Sequence, residues 1–215
     1  MTKFIGITQL KGGAGRSTVA TNLAAGLSKI GKTLLIDADM PQGTSASWFA
    51  LREEKKLTGN LFLATSGSHR DLLDLIKKHA SEYDYVVLDT PPRIAEITDS
   101  VLMMADLVIV PIAASSADIW ATQDLLESIQ QASEKRPDLI ARVIWNKYRA
   151  HTKSAQSMSE AVKKELPIKA MKTTLGLRVS FVDALGEGLS CVEWKDKSAK
   201  SEVTQLTKEV LKLLR

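Results

Sequence analysis

The chain has 215 residues, 44% hydrophobic and 25% charged, the mix of a folded domain with a sizeable core. Its one cysteine, Cys191, excludes an internal disulfide, a thiolate metal cluster and a Cys-X-X-Cys redox pair, and fits a reducing compartment. The net charge of +4 is lopsided, with 14 Lys+Arg against 17 Asp+Glu in residues 1–140 and 15 against 8 in residues 141–215, so the last third suits a polyanion or an acidic partner.

Phe4 to Thr8 is a short apolar run before a glycine cluster, and apolar Val19, Leu23, Leu27 and Ile30 predict a helix over 17–30 that Gly31 ends. Lys32 to Asp37 is too short for a helix and reads as a buried strand. Arg52 to Asn60 is polar and reads as a surface excursion. Further strands are expected at Leu61 to Ala64, Tyr85 to Asp89, Leu107 to Pro111 and Ala141 to Lys147, with helices at His69 to His79, Asp118 to Glu134 and Lys153 to Leu166. Strands separated by helices predict an α/β fold, a mostly parallel twisted sheet with right-handed crossovers and helices on both faces. No repeat or low-complexity linker divides the chain, so a single domain over 1–215 is expected.

Between the first strand and the first helix stands Lys11-Gly12-Gly13-Ala14-Gly15-Arg16-Ser17-Thr18. A glycine-rich turn here lets backbone N–H groups converge on phosphate oxygens, and the helix N-terminus adds partial positive charge. The generic G-x-x-x-x-G-K-[ST] pattern is incompletely met, since Leu10 stands for its first glycine and Arg16 for its lysine. Tyr85-Val86-Val87-Leu88-Asp89 is an apolar strand ending in a carboxylate of the kind that holds magnesium through water, and Thr90-Pro91-Pro92 then breaks the chain into a loop.

Once Lys11 is counted, the loop resembles the deviant Walker A motif of the ParA/MinD superfamily. Asp37-Ala38-Asp39-Met40-Pro41-Gln42-Gly43 resembles that family's Asp-x-Asp-Pro-Gln-Gly switch with Met40 inserted, and Asp89-Thr90-Pro91-Pro92 resembles its Walker B segment. Arg178 to Gly188, followed by Leu189-Ser190-Cys191-Val192-Glu193, resembles its C-terminal pattern, so the likeness spans essentially the whole chain. The chain is identified as a small ParA-type member with no room for a helix-turn-helix domain ahead of the phosphate loop.

This resemblance implies a P-loop ATPase using ATP and Mg2+. It assigns Gly12, Gly13, Ala14, Gly15, Arg16, Ser17 and Thr18 to the phosphates, Asn146 to adenine, and Ser17 and Asp89 to magnesium, the latter through water. Its catalytic candidates are Asp39, positioning the attacking water, Arg16, and Lys11, which would reach the phosphates held by the partner subunit of an ATP-bound homodimer. Arginine at position 16 keeps the charge of the family's lysine but is larger, planar and forked, so slow or impaired hydrolysis is expected. A slowly hydrolysing natural form, an engineered hydrolysis-impaired form and a pseudo-ATPase all stay open.

The same resemblance implies nonspecific binding of double-stranded DNA, hydrolysis stimulated by a ParB-like or other cargo adaptor, and the partition or positioning of a plasmid, chromosome or other cargo in a nucleoid-associated, cytoplasmic setting. Arg178, Lys195, Lys197 and Lys200 are the candidate DNA contacts. A MinD-like membrane-associated regulator is one alternative, because Val203 to Leu214 is amphipathic at helical spacing. That stretch follows without a linker and lacks an interfacial aromatic, and no window approaches about 18 apolar residues, which favours a helix packed on the domain. A hydrolysis-impaired ATP-binding scaffold is a further alternative. A metabolic P-loop enzyme or reductase subunit is another, although the missing cysteines argue against an iron–sulfur reductase. His69, His79 and His151 show no metal spacing and read as surface residues, while Trp48, Trp120, Trp145 and Trp194 read as core or interface.

Overall fold

The computed structural model describes residues 1–92, 94–113, 116–149 and 168–215. In chain order its elements are β1 (Lys3–Ile7), α1 (Arg16–Leu27), β2 (Thr33–Asp37), α2 (Thr44–Glu54), β3 (Leu61–Thr65), α3 (His69–His79), β4 (Tyr85–Asp89), α4 (Ala95–Met104), β5 (Leu107–Ala113), α5 (Ser116–Trp120), α6 (Gln123–Lys135), β6 (Ile140–Tyr148), β7 (Lys169–Gly176), α7 (Ser180–Gly186) and α8 (Lys197–Leu213). The seven strands form one sheet in the order β3-β2-β4-β1-β5-β6-β7, every pair parallel.

The central strands are apolar on both faces because both are covered. Ile5 and Ile7 of β1, Val87 of β4 and Ile109 of β5 point into a core closed by α1, α2, α7 and α8. Val86 and Leu88 of β4 and Val108 and Val110 of β5 point into the opposite core, closed by α3, α4 and α6. Helix α1 is buried along nearly its whole length between the sheet and α8. Its Gly26 permits this approach, since a Cβ there would meet Thr207 Oγ1 of α8 at 2.2 Å.

Several expectations change. Arg52 to Asn60 is no mere surface excursion, for α2 runs to Glu54 and Arg52 is buried, bonded to Glu193, the Gly188 carbonyl and the Leu57 carbonyl. The helix expected over Asp118 to Glu134 is two helices, and the Thr122 hydroxyl donates to the Asp118 carbonyl where they separate. Helices α2, α4 and α7 and strand β7 are not among the expected elements. The helix expected over Lys153 to Leu166 and His151 lie outside the described residues. Trp48 and Trp145 are core residues and Trp194 is half-buried, whereas Trp120 is exposed. His69 is not a plain surface residue, since its Nδ1 lies 2.7 Å from the Ser100 hydroxyl.

Strand order and layering locate the site. β4 and β5 flank β1, α1 leaves β1 toward one face, and α4 leaves β4 toward the other. The crevice at the C-terminal ends of such strands is where ligands bind in open α/β sheets.

Candidate nucleotide site

The register of the sheet assembles this crevice. Asp89 of β4 stands beside Ile7 of β1 and Asp37 of β2, so both carboxylates sit at the C-terminal edge where the glycine loop begins. That loop turns through Gly13 and Gly15 at φ 76° and 93°, backbone that side chains rarely adopt, and Gly15 is the N-cap of α1. A Cβ at Gly15 would stand 2.0 Å from the Asn146 amide nitrogen, so only glycine fits there.

The loop is tied down at both ends. Gln9 accepts from the amides of Leu10 and Lys11 and donates to the Thr122 hydroxyl and the Pro111 carbonyl, linking its entry to β5 and α6. Asn146 is buried and donates to the Ala14 carbonyl at 2.8 Å, while its own oxygen accepts from Lys147 N–H. The Lys147 ammonium donates to the Gly13 carbonyl at 2.8 Å. Both residues therefore brace the loop from the end of β6.

Arg16 is 7% exposed and its guanidinium is spread over four groups. Nη1 donates to the carbonyls of Gln9 and Lys11 at 2.7 and 2.9 Å, Nε donates to the Thr90 carbonyl at 2.8 Å, and Nη2 lies 3.5 Å from Asp39 Oδ2. The side chain thus crosslinks the phosphate loop to the loops after β2 and β4. Lysine has one nitrogen and cannot make this fork. The Lys11 ammonium, by contrast, turns away to pair with Asp118 of α5.

The carboxylates separate by environment. Asp37 is fully buried and accepts from the amides of Asp39 and Ala46, which folds the turn into α2. Asp39 is left at the edge, facing Arg16. Asp89 is completely buried, and burial pushes its carboxyl up to about 7, with the Ser45 and Ser17 hydroxyls and Arg16 pulling down and Asp37 pushing up. Ser45 donates to Asp89 Oδ2 at 2.7 Å, whereas Asp89 Oδ1 has no hydrogen-bond partner. An orphaned carboxylate oxygen near a serine hydroxyl is the oxygen donor set that suits magnesium.

Sequence reading missed Gln9, Ser45, Thr90 and Asp118. Gln9, Ser45 and Thr90 sit in or within two residues of motifs the sequence displays and Asp118 sits beside none, but the contacts of Gln9, Ser45 and Asp118 that matter span 113, 44 and 107 residues. Cys191 is buried, which pushes its thiol up to about 12 and rules out a nucleophile. The expected DNA contacts divide. Arg178 is held by Glu202 through both Nε and Nη2, at 3.0 and 2.8 Å, whereas Lys195, Lys197 and Lys200 are exposed. No helix among the described residues is long and apolar enough to cross a membrane.

Residues 3–173 match the family model described as ATPase MipZ. The maintenance of carboxysome distribution protein A of Halothiobacillus neapolitanus is 28% identical over 212 residues, covering 96% of this chain and 95% of that protein. The structure of the Cyanothece McdA(D38A)–ATP complex superposes with a TM-score of 0.77 at 21% identity, over 98% of this chain and 96% of that one. Cobyrinic acid a,c-diamide synthase from Mycobacterium smegmatis, solved with an ATP analog and magnesium, gives 0.78 at 18% identity, over 99% and 95%. With the glycine loop, the carboxylates at the strand ends and a family match over most of its length, this chain belongs to the MipZ family of ParA-type P-loop ATPases.

Proposed function

We propose that the chain is an ATP-driven positioning switch that dimerises on binding Mg·ATP, grips DNA without regard to sequence, and is discharged by a cargo-bound partner. The observation that carries this reading is the convergence of the Lys11–Thr18 loop, Asp39 and the Thr90 carbonyl next to Asp89 on Arg16. Loop amides and Arg16 would hold the phosphates, Ser17 and Asp89 the magnesium, and Asp39 the attacking water; bound magnesium would supply charge neutralisation at the transferring phosphate. Asn146, whose amide is engaged under the loop, would position the base side of the site from β6. Lys11 is the residue we assign to the partner subunit's phosphates.

For DNA, α8 offers more than the sequence pattern did. Lys197, Lys200, Lys208 and Lys212 are all exposed and fall on one side of the helix at its 3.6-residue repeat. They form a cationic stripe roughly 22 Å long, whereas the acids of α8 are spent inward, Glu202 on Arg178 and the Gly176 amide and Glu209 on the Lys172 and Thr173 amides. The stripe suits a line of phosphates. The similarity to a carboxysome distribution protein favours a large protein assembly as cargo among the positioning roles open to this fold. The test is DNA binding and sedimentation with ATP, with ADP and without nucleotide. Binding and dimer in ATP alone support the switch; equal behaviour in all three overturns it.

A further inference from the structure

Residues 94–134, from the start of α4 to the penultimate residue of α6, contain seven acids and not one lysine, arginine or histidine, and Lys135 closes α6. Two of the acids are spent inside the molecule, Asp106 on the Phe4 amide and Lys3, and Asp118 on Lys11. The other five, Glu96, Asp99, Asp124, Glu127 and Glu134, are exposed. On α4, Glu96, Asp99 and Met103 stand at i, i+3 and i+7, which makes them one outward stripe, and Met103 is 44% exposed.

Grooves flank this stripe on both sides. One, of about 570 Å³, lies against α3 and is floored by Leu73, Met103 and Met104, with Glu96 and Asp99 at its rim. The other, of about 150 Å³, lies against α6, shares Asp99 and Met103, and reaches Leu102 and Ala132, with Lys135 at its far end. Methionines in a groove adapt to the shape of an apolar ligand, and the rim fixes the sign of that ligand's charge.

We propose that the α4 face is the docking surface for a basic amphipathic segment of a partner protein, its apolar side chains seated around Met103 and its cations on Glu96 and Asp99. Nucleic acid is excluded here by sign, and the stripe of α8 lies on the opposite layer of the sheet. Helix α8 of a second copy is a poor occupant, because its exposed stripe is lysine-rich without the apolar anchors that the grooves require. The segment would also reach the nucleotide site. Helix α4 follows directly on Asp89-Thr90-Pro91-Pro92, and the Thr90 carbonyl holds Arg16. That coupling rests on the proposed ATP switch; the docking does not.

The test uses the full chain without nucleotide and, as probe, a short helix-forming lysine–leucine peptide with its leucines on one side. Titration calorimetry reads affinity and hydrogen exchange reads location. Expected are salt-dependent binding with protection of residues 94–104, about tenfold weaker binding in Glu96→Lys/Asp99→Lys, and about fivefold weaker binding in Met103→Ser. The control Glu53→Lys/Glu54→Lys changes net charge equally but lies on α2, across the sheet. Equal loss in the control, protection elsewhere, or no binding overturns the proposal. So does self-association of the free chain that the α4 pair abolishes, which would give the face to a second copy. Because ATP and DNA are absent, failure here is separable from failure of the switch.

Discussion

The ammonium of Lys11 rests on the carboxylate of Asp118, so the residue assigned to the neighbouring subunit is held within its own chain. Lys11 must leave this partner before it reaches across a dimer. Asp118 is nearly buried and Lys11 partly exposed, a setting in which such a pair contributes about 1 kcal/mol. Asp118→Asn is therefore expected to strengthen ATP-dependent dimerisation about fivefold, and Lys11→Ala to abolish it. Analytical ultracentrifugation with a non-hydrolysable ATP analogue decides the matter; a weaker dimer in Asp118→Asn means that the pair serves the assembled state instead.

Arg16 is the second lever. Its fork holds three carbonyls and faces Asp39, so the loops that must rearrange around a phosphate are already crosslinked. Arg16→Lys is expected to raise ATP turnover several-fold while costing about 1–2 kcal/mol of stability through lost bonds to buried carbonyls. Phosphate release and thermal melting report the two effects. Unchanged turnover would show that position 16 does not limit hydrolysis.

Asp89 predicts a pH dependence. Its folded carboxyl titrates near 7 against about 4 in the unfolded chain. Between those values the native state holds the extra proton, so stability is retained at low pH and lost as pH rises through 7. From pH 6 to 8 the ligand-free protein should lose about 1 kcal/mol that Asp89→Asn does not lose. Magnesium held by Asp89 as proposed would compete with that proton, so Mg·ATP affinity should weaken below pH 7 in the wild type. A denaturant series at the two pH values, with flat wild-type stability, would remove this assignment.

Binding to DNA should follow α8 and not Arg178. Lys200→Glu/Lys208→Glu is expected to weaken binding more than tenfold and to flatten its dependence on salt by about two phosphate contacts. Arg178→Ala should cost stability through Glu202, with little change in the salt slope. Fluorescence anisotropy across a salt series separates them; the reverse pattern moves the DNA face toward β7.

The sequence made the strand at 85–89 and the first five residues of the strand at 107–113 legible, because their buried apolar runs are bounded by turns, and it located the phosphate loop by its glycines. It could not show that Arg16 points into carbonyls, since a motif names a residue type and not the direction of its side chain. Likewise the basic final third read as a diffuse charge; only the docking of Glu202 and Glu209 onto β7 turns it into a stripe free of acid. Ser45 was invisible because its meaning comes from the turn into α2, which brings it to Asp89.

At Gly26 only the side chain of Thr207 stands between α1 and α8, and a Cβ there would strike it. The two helices therefore behave as one strut: a tug on the lysines of α8 is borne by the helix whose first turn carries Ser17. With nucleic acid held on α8 and a phosphate at the start of α1, as proposed, mechanical load would reach the chemistry through a joint that a single methyl group would force apart.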